Sequence, residues 1–424
     1  MKAIKKFVIT AMFTAAVSGV FAEAGKDYVK QEINSPDRSM PTFFEAVKAR
    51  MAFSLGWKDG SDPAAWRKAG LEKAREIMIM NEDTTPFDMV ILESEKRDGY
   101  TAHKVVYNVS AESRTLAYLL VPNGKKKQTF PAALMLHDHG SKFTIGKEKM
   151  VKPFGSTEED AAKLKEAEAW SQKFFNGTFP GDELAKRGYV VLSVDAFGWG
   201  DRSVKGFKTD SQQALAANLF NMGSSFAGII AQEDVRAAKF LASLPEVDKS
   251  RVACVGFSMG AFRSWQLAAL SDDILRYGMS RGELNSVKNV VGVAALSDDI
   301  TAGIAVCWMG TMQGLMVIGN NQLKGQSAYS MLHPYIARYL DYPDVAGLAA
   351  PKPMLFFNGE KDGLFPLDSV NQAYSTMHKI WKANGAEDKL HTEIIPGGIH
   401  NFLPEQQKTA YDWLDKQFGI SKAR

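Results

Sequence analysis

Cysteine is nearly absent: the 424 residues contain two, Cys254 and Cys307. So low a count excludes a disulfide framework and a cysteine-built zinc cluster. Each cysteine lies in an apolar run, and both are expected as buried free thiols. Excess charge is absent too. Lys2, Lys5 and Lys6 are the only charges in the first 22 residues, and beyond them Lys+Arg and Asp+Glu balance at 48 each. Nothing in that balance points to nucleic acid or an acidic membrane surface as a partner. Beyond the amino-terminal segment, no run is long and apolar enough to cross a bilayer. No period of 20–50 residues recurs, which excludes a solenoid or propeller. The short repeat AALSDDI, at 268–274 and again at 294–300, is an isolated duplication.

What is present begins with an export signal. The basic start is followed by FVITAMFTAAVSGVFA, which ends in small residues, and cleavage is expected after Ala22 or Ala24. The expected location is secreted or periplasmic in a bacterium, with no membrane anchor after cleavage. Residues 23–84 read as a helical extension, because PTFFEAVKARMAFSLGW and DPAAWRKAGLEKAREIMIM carry apolar residues at helical spacing. Residues 85–424 read as one large α/β domain. FDMVILESEKRDG, YTAHKVVYNVS and RTLAYLLVPNG alternate like antiparallel strands. PAALMLHDHG, GYVVLSVDAFG, SRVACVGFS, ITAGIAVCWMG and KPMLFFNGEKD are short apolar strands separated by longer segments, and HTEIIPG is a candidate for the last. Fully apolar strands alternating with helical stretches predict a mostly parallel sheet with helices on both faces.

Gly256-Phe257-Ser258-Met259-Gly260 stands between the apolar run VACV and the helical stretch MGAFRSWQLAAL. A Gly-x-Ser-x-Gly turn from strand to helix thrusts the serine hydroxyl out above the sheet edge, and the glycines let the two elements approach closely. A serine hydroxyl needs a base, and the base an orienting acid. Of the seven histidines four follow Ser258. His333 and His378 read as structural. His400, in the glycine-rich loop IPGGIHNF, is the expected base, with His391 second. Asp362, closing the strand of MLFFNGEKDGLFP, is the expected acid, with Glu360 next; Asp298 and Asp299 read as caps or surface charge. The oxyanion donors expected are the Met259 N–H and one from LHDHGSK, belonging to His139 or Ser141. His137 and His139, two apart at a strand end, point opposite ways and find no third ligand, so neither a metal nor any other cofactor is expected. Trp199, Trp308 and Arg263, near strand ends, are candidates to line the substrate cleft. The segment from Lys142 to Pro180 is long for a connection and is expected to form a lid or rim.

LHDHG, VDAFGWGDR, GFSMG, NGEKDGLFP and GGIHNF together resemble the alpha/beta-hydrolase superfamily. With the stretch PDVAGLAAPKP, the chain is similar to secreted bacterial esterases of the acetyl xylan esterase-like and dienelactone hydrolase-like groups, over roughly residues 85 to 420. The resemblance implies Ser258 as nucleophile, Asp362 as acid and His400 as base. It implies a serine esterase that removes acetyl or similar small acyl groups from ester-substituted glycans. Two other readings are a prolyl oligopeptidase-like peptidase, which would carry a propeller of repeats, and a non-catalytic glycan-binding protein with a relic site.

Overall fold

Residues 42–79, 83–125, 128–271, 299–317 and 328–420 are described by a computed structural model. The expected signal segment 1–22, the extension as far as 41, Asp298 and parts of both AALSDDI copies lie outside the described residues. The chain divides into two compact units. In the smaller, residues 1–51 with 316–325, the described part holds one short helix, α1 (Thr42–Lys48). There Lys48 pairs with Glu45 and donates to the Met316 carbonyl at 2.9 Å.

The larger unit, Ala52–Leu315 with Gln326–Arg424, carries a nine-stranded sheet. Its strands are β1 (Val90–Arg97), β2 (Tyr100–Asn108), β3 (Arg114–Pro122), β4 (Phe130–Leu136), β5 (Val190–Val194), β6 (Val247–Phe257), β7 (Ala302–Val306), β8 (Met354–Gly359) and β9 (Leu390–Ile395). They lie in the order β1-β2-β3-β5-β4-β6-β7-β8-β9. β1, β2 and β3 form an antiparallel meander that joins β5 antiparallel, and from β5 to β9 every pairing is parallel. Residue type follows position. β4, β5, β7 and β8 are buried along their whole length and read as nearly continuous apolar runs, interrupted by Ser193 and Asn358. β1, at the edge, is mostly exposed and carries Glu93, Glu95, Lys96 and Arg97, charges that discourage pairing with another chain.

Helices cover both faces. α2 (Pro63–Met78) starts on Asp62, whose carboxylate accepts the Ala65 N–H at 2.7 Å, with Pro63 in its first turn. α3 (Glu158–Phe175) is capped by Thr157, has three acids in its first turn and ends at Asn176 in the left-handed conformation. It lies within the segment expected as a lid or rim. α4 (Pro180–Lys186), α5 (Thr209–Asn221), α6 (Phe226–Ser243) and α7 (Met259–Leu270) follow, then α8 (Met312–Leu315), α9 (Tyr342–Gly347), α10 (Leu367–Ala383) and α11 (Pro404–Gln417). α6 and α7 pack on β4 and β6, and α2 packs over α6 and α7. On the other face Phe154, Phe175, Leu184, Phe402, Tyr411 and Leu414 meet Tyr118, Val191, Val255 and Phe257 in one apolar cluster. The result is an α/β-hydrolase fold: a mostly parallel sheet, buried on both faces, whose carboxyl ends open on a common edge.

Candidate active site

Ser258 sits between β6 and α7 with φ 55° and ψ −121°, a conformation that is costly for any residue but glycine. The surroundings hold it there. The Ser258 N–H donates to the Val306 carbonyl of β7 at 2.8 Å. A Cβ on Gly256 would stand 1.9 Å from the Gly260 carbonyl oxygen, and one on Gly260 would stand 1.8 Å from that of Leu136. Side chains are therefore excluded at both places, and strand, turn and helix close up until the serine is half-buried with its hydroxyl at the rim.

His400 comes from the loop between β9 and α11, and Asp362 from the loop after β8. A second glycine contact clasps these loops. A Cβ on Gly359 would meet the Gly398 carbonyl oxygen at 2.6 Å, and the Lys361 N–H donates to that oxygen at 2.8 Å. His400 Nε2 lies 2.9 Å from Ser258 Oγ and His400 Nδ1 lies 2.7 Å from Asp362 Oδ2. Asp362 Oδ1 accepts the Leu364 N–H at 3.0 Å, and its side chain is fully buried. With Asp362 as a carboxylate, Nδ1 carries the imidazole proton and Nε2 is left to accept from the serine hydroxyl. Phe257 and Phe365 flank the ring, at 5.0 and 6.3 Å between centroids. Cys307, at φ 61°, lies beneath the acid, and burial together with the Asp362 charge pushes its thiol up.

The alternatives lie elsewhere. Glu360 accepts the Gly397 N–H at 2.6 Å, bracing the histidine loop. His391 is on the exposed side of β9 beside Glu393. His378 meets Thr392, and His333 is buried against Phe262 and Gln266. Asp299 is buried.

The oxyanion donors expected are the Met259 N–H and one N–H from the loop after β4. Among the described residues the Met259 N–H has no backbone acceptor, as expected in the first turn of a helix. The end of β4 crosses this turn, since the Leu136 and His137 carbonyls are the atoms a Cβ on Gly260 would meet. Of the two expected donors in the following loop, Ser141 is committed: its N–H donates to His139 Nδ1 at 3.0 Å. His139 Nε2 then carries the proton and donates to Gln212 Oε1 at 3.2 Å. Burial above all holds the His139 ring down to about 4, so it is neutral at pH 7. His137 is buried beside Arg263 and is held well below the ordinary histidine range. Its Nε2 accepts the Ala196 N–H at 2.9 Å and its Nδ1 lies 2.8 Å from the Asp138 carbonyl. All four ring nitrogens of the pair are thus engaged with protein groups.

The structure corrects the expectation that Arg263, Trp199 and Trp308 face a cleft. Arg263 is 2% exposed, and its guanidinium makes a two-pronged pair with Asp234 at 2.6 and 2.9 Å. Its charge is spent joining α7 to α6. Trp199 is fully buried and donates to the His139 carbonyl at 3.1 Å. Trp308 is packed among Phe262, Trp265, Tyr342 and Phe365, one ring behind the one that stacks on His400.

Sequence reasoning passed over Lys147, Glu148 and Lys149, a charged triplet with no solvent exposure at all. Lys147 pairs with Glu148, Asp195 and Asp201 at 2.9, 2.8 and 2.5 Å, and these carboxylates raise its ammonium well above the usual lysine range despite burial. The motif VDAFGWGDR, which carries Asp195 and Asp201, was the one signal that could have found them.

Comparison with known proteins gives the same fold. A model of the Abhydrolase family matches residues 34–281. The chain is 22% identical over 306 residues to the Bacillus subtilis (strain 168) protein named as hydrolase YtaP, spanning 72% of this chain and 85% of that one. Among solved structures, a Bacteroides fragilis NCTC 9343 protein described as an acetyl xylan esterase superposes with a TM-score of 0.62 at 16% identity, covering 86% of this chain and 84% of its own. A glucuronoyl esterase from Solibacter usitatus superposes with a TM-score of 0.57 at 13% identity, covering 86% and 97%. At such identities the likeness to these structures is one of fold.

Proposed function

The chain belongs to the Abhydrolase family, and from that premise we propose that it is a serine carboxylic-ester hydrolase working through an acyl-enzyme on ester-substituted glycans. The single observation that carries this reading is the hydrogen-bonded run from Ser258 Oγ through His400 to Asp362, at 2.9 and 2.7 Å. Ser258 Oγ attacks the ester carbonyl carbon while His400 Nε2 takes its proton. Asp362 fixes the tautomer and stabilises the imidazolium. The oxyanion gathers on the Met259 N–H and a second donor from the loop after β4. Collapse breaks the bond to the alcohol oxygen, which leaves with the proton from Nε2. A water molecule, deprotonated by the same nitrogen, then attacks the acyl-enzyme, and the acid is released with Ser258 restored.

The glycan assignment is supported by similarity to proteins named acetyl xylan esterase and glucuronoyl esterase, and by the amino-terminal segment that reads as an export signal. A panel of acetylated, feruloylated and methyl-esterified saccharides tests it, because each class releases a different product. We expect release of acetate from an acetylated glycan, and loss of that activity in Ser258→Ala by a factor on the order of 10⁴ or more. A Ser258→Ala protein that matches the wild-type rate on p-nitrophenyl acetate would end the reading.

A further inference from the structure

The loop after β4, expected to supply the second oxyanion donor, takes its direction in part from a buried lysine. Lys149 Nζ donates to two consecutive carbonyls of the loop, Asp138 at 3.0 Å and His139 at 3.1 Å. The lysine side chain is fully buried, its ammonium lies 4.8 Å over the Trp170 ring, and the Asp138 carboxylate is 3.6 Å away. Trp170 Nε1 in turn donates to Asp138 Oδ2 at 3.0 Å. The His139 carbonyl also accepts from Trp199 Nε1. In a trans peptide the C=O and the following N–H point in opposite directions. Drawing the Asp138 carbonyl toward Lys149 therefore turns the His139 N–H the other way. Among the described residues that N–H has no acceptor.

We infer that Lys149 is a positioning residue, which holds the Asp138 and His139 carbonyls so that the His139 N–H completes the oxyanion hole with Met259. This rests on the esterase reading above. Lys149 touches no substrate and acts only through the peptide it holds. An ammonium suits this role because it reaches two adjacent carbonyls at once, which a neutral side chain of the same length cannot. The cost of burying it is offset by those carbonyls, by Asp138 and by the face of Trp170.

The test compares Lys149→Met with the wild type on p-nitrophenyl acetate. The expected result is a kcat lower by about 10²-fold, the order found on removing one oxyanion donor, with KM within about threefold. A second measurement uses only the wild-type fold. The protein is labelled with ¹⁵N-histidine, the His139 amide is assigned by its loss in His139→Asn, and Ser258 is phosphonylated with a fluorophosphonate. The tetrahedral adduct places an oxygen where the oxyanion would sit, so the His139 amide proton moves downfield. An unmoved amide overturns the inference, as does a Lys149→Met protein whose folded fraction keeps wild-type kcat. If Lys149→Met does not fold, the amide shift decides alone. Failure of the esterase reading is distinct, because there Ser258→Ala itself would leave the activity intact.

Discussion

At the scale of single residues, Ser258, His400 and Asp362 owe their meeting to glycines more than to themselves. Gly256 and Gly260 let β4, β6 and α7 close to van der Waals distance, and Gly359 lets the acid loop touch the histidine loop. The proposed mechanism makes a sharp demand on Asp362. Replacing it with Asn keeps the size but allows the amide to donate to Nδ1, which favours the wrong tautomer of His400. We expect Asp362→Asn to lower kcat by about 10⁴-fold with little change in KM, measured by steady-state hydrolysis of p-nitrophenyl acetate. A loss of less than about tenfold would show that this carboxylate does not orient the base.

Elements explain what the sequence could and could not reveal. β4, β5, β7 and β8 coincide with largely apolar runs and β2 with an alternating one, because a buried strand must be apolar and a half-buried one must alternate, while the edge strand β1 is mostly exposed. Their order is another matter: β5 stands between β3 and β4, and no local pattern encodes a crossover. The residues of the candidate triad were legible because a strand-to-helix serine and two strand-end loops have few rivals. The roles of Arg263, Trp199 and Trp308 were not. Whether a side chain near a strand tip faces solvent or a neighbouring helix depends on partners far along the chain, such as Asp234 for Arg263. Lys147 and Lys149 were hidden for the same reason, since a run of charged residues in sequence reads as surface. The Arg263–Asp234 pair gives a prediction at this scale. Arg263→Met leaves Asp234 buried without its partner between α6 and α7, at a cost of about 3–5 kcal/mol. Urea denaturation should show this as a lowered midpoint, while KM for a small ester stays unchanged. A raised KM with unaltered stability would restore Arg263 to the substrate.

Taken as a whole molecule, the protein buries His137 and His333 among apolar residues, and this makes stability depend on pH. His333, behind Phe262, is held down to about 3 by burial alone, against an ordinary value of 6.5. Between those values the unfolded chain binds a proton that the folded chain does not. Stability is therefore full above about pH 6.5 and falls as the pH drops toward 3, by up to about 1.4 kcal/mol per pH unit for this one group. His333→Phe removes that proton. Its stability, from denaturation midpoints at pH 6.5, 5.5 and 4.5, should fall less steeply than the wild type by about that slope. Parallel profiles would mean that His333 titrates alike in both states.

The left-handed backbone at position 258 has an evolutionary corollary. The geometry that makes the hydroxyl available is one that glycine tolerates and serine resists. An inert chain with glycine there is expected to be the hardier of the two, by roughly 1 kcal/mol or more. Breeding this protein for heat resistance alone, without screening for turnover, would therefore reward the loss of the very atom on which the proposed chemistry depends.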